Sequence, residues 1–325
     1  MRDQLHQQYQ VYLGKEIQEN GLFGYEGNDG YYFLIPYEEG MDDEVFEQRS
    51  ISEFIRNQGT PQIGLPLFTT EGKLYTNVDG QNYMFVQVPW GATSDSNGRW
   101  LTTLHEAGNQ YPYQPQHISR YGQWKSLWED KVDAWFEQYK VQWNERPCSS
   151  MRRLFIETFP YVEGLSECAI QYLQESEQDW RYESNDQGTF TFQRLHPSMM
   201  SQTIWPHTLV YDHPARDLAE WIRYSLLENG NQAYPPIRSM LDEYESTRPL
   251  SVFSWRLIYA RLIYPVHLFD VLERTLSAGE REQNDLEQEY RGLLQKQDQY
   301  EKQLKEFFNG VHIDYKRLRI PILDW

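Results

Sequence analysis

The stretch VYDHPARDLAEW, residues 210–221, crowds Asp212, His213, Pro214, Arg216 and Asp217 into one short segment. Two carboxylates beside an imidazole could bind a metal ion or carry general acid–base chemistry. The same residues could simply start a helix. Asp212 or His213 would cap it, Pro214 would suit its first turn, and Leu218, Trp221 and Ile222 would open a buried face. His196 and His207 lie a little upstream of His213, which with Asp212 and Asp217 makes a metal cluster conceivable. No HxH or HExxH spacing supports one, and prolines flank these histidines in turn-like sequence, so metal binding is not expected.

Other chemistries find less support. There is no GxSxG elbow, and Cys148 and Cys168 form no CxxC pair and sit in no recognisable nucleophile context. Paired carboxylates and aromatic platforms perform glycoside hydrolysis, but among 48 acidic residues no spacing singles out a pair. An acidic carbohydrate-binding or hydrolysing protein therefore stands only as a distant alternative. Gly21, Gly24, Gly27 and Gly30 in GLFGYEGNDG raise a phosphate-cradling loop. Neither GxGxxG nor GK[ST] is present, so glycines around a tight hairpin are expected instead.

The chain has 325 residues and a formal net charge of −18, with 11 Trp and 24 Tyr. That length allows one large domain or two smaller ones, and the aromatics can build a core with little Ile and Val. Such acidity, without Lys/Arg clusters, argues against nucleic acid and anionic membrane surfaces as partners. The start, MRDQLHQQYQVYLGKE, carries no apolar signal-peptide core. The most apolar long stretch, residues 252–269, contains Arg256, Arg261, Pro265 and His267, so a buried helix is expected there and not a bilayer span.

These residues need elements to position them. A strand is expected over 30–38, a helix over 42–59 and a hairpin over 73–90 turning at Asp79-Gly80, making a small α+β lobe of residues 1–89. Long helices are expected near 97–108, 119–144, 150–176, 214–229, 232–246, 250–275 and 279–309, with a short strand pair within 188–211. Residues 90–325 would then form a large, mainly helical lobe. The 279–309 helix carries Leu286, Tyr290, Leu293, Gln297, Tyr300, Leu304 and Phe307 at spacings of four and three. That seam would pack on the parent domain or pair with another helix, allowing helix-mediated self-association.

A strand–helix–strand lobe followed by a helical lobe is the order of kinase-like phosphotransferases, and VYDHPARDLAEWIR resembles the D-x-P-x-x-D-L-A stretch of the aminoglycoside phosphotransferase and choline kinase superfamily. With RPLSVFSWRLIYARLIYPVHLFDVLE downstream, the chain is similar to the endospore coat-associated proteins of Bacillus-type bacteria, the YutH and CotS group. The resemblance runs from about residue 20 to 275 and is specific over 210–275. It implies a bilobal, protein kinase-like (aminoglycoside phosphotransferase-like) α+β fold: a small antiparallel sheet lobe plus a large helical lobe.

Carried over residue by residue, the resemblance implies lost chemistry. The superfamily's loop H-G-D-x-H-P-x-N finds its counterpart in FQRLHPSM, anchored on His196 and Pro197. Arg194 then stands where the catalytic aspartate should be, and Met199 where the metal-holding asparagine should be. An arginine cannot accept a hydroxyl proton, and a thioether is a poor ligand for magnesium. The metal-binding aspartate's place falls on Trp205; a rival alignment makes Asp212 that ligand. No lysine occurs between Lys15 and Lys73, and the position of the nucleotide-clamping lysine falls near Ile35. Asp217 matches the helix-borne aspartate that accepts backbone N–H bonds from the catalytic loop, and Asp212 and Pro214 complete the structural motif.

The implied function is a catalytically inactive kinase-like protein, a structural or recruiting component of the spore coat. It would be made in the mother-cell cytoplasm and would meet other spore coat proteins, and no cofactor is expected. The alternative is an active small-molecule or protein kinase with relocated catalytic residues, using ATP and magnesium with Asp212 as metal ligand.

Overall fold

The computed structural model describes residues 1–60, 62–90, 98–144, 149–179 and 181–323. Cys148, which figured in the sequence reading, lies outside them. The chain divides into two compact units, Met1–Tyr121 with Gly188–Pro214, and Gly122–Gln187 with Ala215–Trp325.

The first unit contains α1 (Arg2–Tyr9), β1 (Glu16–Glu19), β2 (Leu22–Glu26), β3 (Gly30–Pro36), α2 (Asp42–Asn57), β4 (Leu65–Pro66), β5 (Thr76–Val78), β6 (Gln81–Pro89), α3 (Gly98–Asn109), β7 (Thr189–Phe192) and β8 (Leu209–Asp212). β1 to β6 make one antiparallel sheet in the order β1-β2-β3-β6-β4, with β5 also on β6. Two-residue turns set its register. Asn20 and Gly21 (φ 50° and 79°) close β1 on β2, and Asp79 and Gly80 (φ 51° and 88°) close β5 on β6. Both pairs use the left-handed backbone that Asn, Asp and Gly reach at least cost.

Alternation along β3 buries both sheet faces. Tyr32 and Leu34 join Leu5 and Tyr9 of α1, Tyr25, Val78 and Phe85 on one side. Phe33 and Ile35 join Val45 of α2, Met84, Val86, Val88 and Trp205 on the other. α1 has no counterpart in the sequence reading, because only Leu5 and Tyr9 of its eight residues are apolar and buried.

The last sheet strand ends at Pro89, at the expected boundary of the small lobe, but the compact unit extends beyond it. The β7–β8 hairpin packs on α3, where Thr189 Oγ1 donates to the His105 carbonyl at 2.6 Å and Trp100 stacks on Phe192. Phe190 meets Phe54 of α2 and Tyr111 edge-on. Residues 188–214, expected within a continuous 90–325 lobe, therefore group with the sheet.

The second unit is helical: α4 (Trp124–Asn144), α5 (Ser150–Glu177), α6 (Ala215–Asn229), α7 (Tyr234–Glu245), α8 (Val252–Ile263), α9 (Val266–Ser277), α10 (Glu280–Lys305), α11 (Phe307–Gly310) and α12 (Tyr315–Leu318). The single helix expected over 250–275 is two. Pro265 lacks the N–H that would continue the ladder, so α8 stops at Ile263 and α9 restarts at Val266. The α10 seam is buried within its own unit. Tyr290 and Tyr300 are fully covered, with Tyr300 donating to the Leu262 carbonyl at 2.8 Å, and Gln297 pairs with His267. Of the two expectations for this seam, packing on its own unit is the one seen in the structure.

Candidate functional site

Ile35 lies on β3 opposite Met84 of β6, 3% exposed, in the apolar cluster between the sheet and α2. Trp205 belongs to the same cluster. It is 5% exposed, and its ring meets Phe33 edge-on with centroids 5.0 Å apart. The positions assigned by resemblance to the clamping lysine and the metal aspartate thus share one hydrophobic core. An ammonium or carboxylate placed there would exchange its hydration for largely apolar neighbours.

Trp205 is held there by backbone stitching. The Ile204 N–H donates to the Gln62 carbonyl at 3.0 Å, and the Gly64 N–H donates to the Ile204 carbonyl at 2.8 Å, a parallel bridge between Ile63 and Ile204. The β1–β2 hairpin closes on the same segment, Asn20 Nδ2 reaching Gln202 Oε1 at 3.1 Å and Thr203 Oγ1 reaching Glu19 Oε1 at 3.0 Å. Ile17 and Leu22 of that hairpin pack against the Trp205 cluster. The short turn Pro206–Thr208 follows and packs on α2. Trp205 Nε1 and His207 Nδ1 are buried there without hydrogen-bond partners, and burial pushes the His207 imidazole below its usual range.

The loop FQRLHPSM is a capped 3-10 turn. His196 is exposed and caps the Pro197–Ser201 turn: its Nδ1 accepts from the Ser198 N–H at 3.2 Å, and its own N–H donates to Met199 Sδ at 3.5 Å. Met199 is therefore part of the cap, and Arg194 is half-buried at the loop's start. Asp212 ends β8, fully buried, with Oδ1 accepting from the His213 N–H at 2.7 Å. Pro214 directly precedes α6, and Asp217 is fully buried in that helix's first turn.

None of the fully buried positions of α2 is acidic, and half-buried Glu44 accepts from Gln48 Nε2 at 3.1 Å. The buried positions are Val45, Gln48, Ile51, Ser52 and Ile55. Glu47 points elsewhere, accepting from three successive backbone N–H groups, those of Gln116, His117 and Ile118, at 2.7–3.1 Å. In active protein kinases a sheet lysine pairs with a glutamate on the corresponding helix. The resemblance sets Ile35 near that strand position, and the buried polar residues of the helix are Gln48 and Ser52.

The segment RPLSVFSWRLIYAR is structural within the second unit. Ser251 caps α8, and Ser251 and Ser254 both donate to the buried Asp186, at 2.8 and 2.5 Å. Arg256 pairs with Asp179 at 2.7 Å, and Arg261 with Glu220 at 2.8 Å, where Arg223 also binds. Its charged residues are spent on partners inside the helical core. A cavity of about 220 Å³ opens elsewhere in this unit, lined by Trp135, Met151, Arg152, Phe155, Leu272 and Gln283 among others. None of the expected site residues lines it.

Sequence reasoning missed Asn20, Gln62, Gly64 and Glu47. Asn20-Gly21 is the strongest short hairpin signal available and was readable as such. The other three act through contacts distant in sequence, which no local pattern announces. Among the described residues, no three His, Cys, Asp or Glu side chains converge on a common point, and no helix is long and apolar enough to cross a membrane.

Comparison with known proteins agrees with this architecture. The endospore coat-associated protein YutH of Bacillus subtilis (strain 168) is 32% identical over 304 residues, covering 91% of this chain and 89% of the relative. An aminoglycoside phosphotransferase from Alicyclobacillus acidocaldarius superposes with a TM-score of 0.62 at 12% identity, covering 93% of each chain. A microcompartment-associated aminopropanol kinase gives 0.57 at 11% identity, covering 95% of this chain and 97% of the other. A spectinomycin phosphotransferase in complex with ADP and spectinomycin gives 0.56 at 13%, covering 89% and 92%. At these identities the structures establish the kinase-like fold alone. Residues 2–307 match the family described as spore coat putative kinase YutH, and with the identity to the Bacillus relative this makes the chain a member of that family.

Proposed function

We propose that this protein is a catalytically inactive member of the kinase-like fold that serves the bacterial spore coat as a structural or recruiting component. One observation carries the reading: Ile35 and Trp205, which the resemblance sets in the places of the clamping lysine and the metal-binding aspartate, lie in one apolar cluster against the sheet. Arg194 and Met199 in the capped turn add to it, since neither accepts a proton nor holds magnesium well. The B. subtilis relative is an endospore coat-associated protein, which supports a path from mother-cell cytoplasm to coat and other coat proteins as partners. The chain's net charge of −18 and exposed rings such as Tyr12, Tyr113 and Tyr182 are what such partners would meet. ATP and magnesium have no role in this reading.

The second reading, an active kinase with relocated groups, draws on the complete burial of Asp212 at the end of β8. Thermal-shift titration with ATP and magnesium separates the two. Inactivity predicts no shift. A nucleotide-dependent shift that survives Ile35→Ala and disappears in Asp212→Ala would establish the second reading and overturn the first.

A further inference from the structure

We infer that the apolar space beneath the sheet is a site for a bicyclic heteroaromatic ring, which the chain fills permanently with its own Trp205. The inference rests on the reading above, that this face of the sheet is the nucleotide side. Trp205 belongs to neither the sheet nor α2, yet it completes the cluster of Phe33, Ile35, Val45, Met84 and Val86. It arrives on a segment fastened from two directions: to residues 62–64 by the paired backbone bonds of Ile204, and to the β1–β2 hairpin through Gln202 and Thr203. Gly64 permits the approach, since a Cβ there would lie 2.5 Å from Val86 Cγ1 and 3.2 Å from Pro206 Cδ.

The choice of residue is informative. An indole buried with Nε1 unpartnered forgoes a hydrogen bond that leucine or phenylalanine would never require. What tryptophan supplies in exchange is a flat two-ring body. The first unit is thereby liganded from within, and its order requires no nucleotide.

The test removes the resident ring and offers it back. Trp205→Gly is expected to lower Tm by on the order of 10 °C. Free indole, titrated to millimolar levels, should raise the variant's Tm saturably and leave the wild type and Trp205→Leu unmoved. An unchanged Tm in Trp205→Gly, or no indole response in a folded Trp205→Gly, overturns the inference. Should Trp205→Gly fail to fold, hydrogen exchange on the ligand-free wild type decides. The Ile204 and Gly64 amides should exchange as slowly as those of β3 and β6, within about tenfold, and exchange at loop rates overturns the inference. A wild-type shift with ATP and magnesium that survives Ile35→Ala and disappears in Asp212→Ala would sink the inactive-kinase reading, whereas the indole and exchange results judge Trp205 on their own.

Discussion

Trp205 meets Phe33 edge-on, ring centroids 5.0 Å apart and planes at 82°, and Ile35 sits two residues along the same strand in the same cluster. Side chains at i and i+2 of a strand share a face, so any group at position 35 must share space with this aromatic pair. Restoring the fold's usual lysine should therefore damage the protein without reviving it. Ile35→Lys buries an ammonium among apolar side chains and should cost about 3 kcal/mol or more in urea unfolding. It should also confer no ATP-dependent rise in Tm.

Close backbone approach is what lets residues 204–206 lie against the sheet, and Gly64 is the point of closest approach. Gly64→Ala should force Val86 or Pro206 to move and cost about 1–3 kcal/mol. Hydrogen exchange should then show the Ile204 amide losing protection while amides of α5 in the other unit keep theirs.

The parts of this architecture written in local pattern were readable before any coordinates. Val45, Ile51 and Ile55 give α2 its stripe, and Asp79-Gly80 gives the β5–β6 turn its required backbone. Pro265 weighs against a bilayer span and also interrupts the backbone ladder, so α8 and α9 stand where the apolar pattern alone suggests one helix. Ile35 could be named because the absence of lysine between Lys15 and Lys73 needs no alignment. Trp205 was placed only through a resemblance, and its packing on Phe33 joins residues more than 170 positions apart, as the numbering shows. The two unsatisfied ring nitrogens at 205 and 207 belong to tertiary burial, which sequence periodicity does not report.

In the helical unit, Glu220 stands between two buried arginines, 2.7 Å from Arg223 and 2.8 Å from Arg261. Removing the shared carboxylate leaves two cations in a poorly hydrated core. Glu220→Ala should cost about 3–5 kcal/mol in chemical denaturation, with part of that loss recovered when Arg223 and Arg261 are both changed to Met.

Asp179 should shape the acid limb of stability. Hydrogen bonds from Arg181, opposed by burial and reinforced by Arg256, hold its carboxyl below the usual carboxylate range. A carboxylate whose folded pKa is depressed contributes stability that is complete above its unfolded value, about 3.9, and is lost as pH falls toward the folded one. Urea midpoints measured from pH 6 down to pH 2 should fall for the wild type. Asp179→Asn should be less stable at pH 6 and show a flatter decline below pH 4. Parallel curves for the two proteins would remove Asp179 from the account.

His207 should act in a milder pH range and in the first unit. Its ring is held below the usual imidazole range by burial, with Nδ1 unpartnered beside the Trp205 cluster. The unfolded chain takes up a proton at this residue near pH 6.5, whereas the folded unit resists until lower pH. Between those two values the unfolded state holds more protons, so stability falls as pH drops and levels off once the folded ring also protonates. The wild-type urea midpoint should decline between pH 7.5 and 5.5, and the decline should be shallower in His207→Leu, whose side chain cannot ionise. The other histidines are common to both proteins, so the difference between the two curves isolates His207. Because the ring follows Trp205 in the same short turn, acidification should speed exchange at the Ile204 amide in the wild type more than in the variant. Equal pH slopes for the two proteins would show that His207 does not couple this turn to proton uptake.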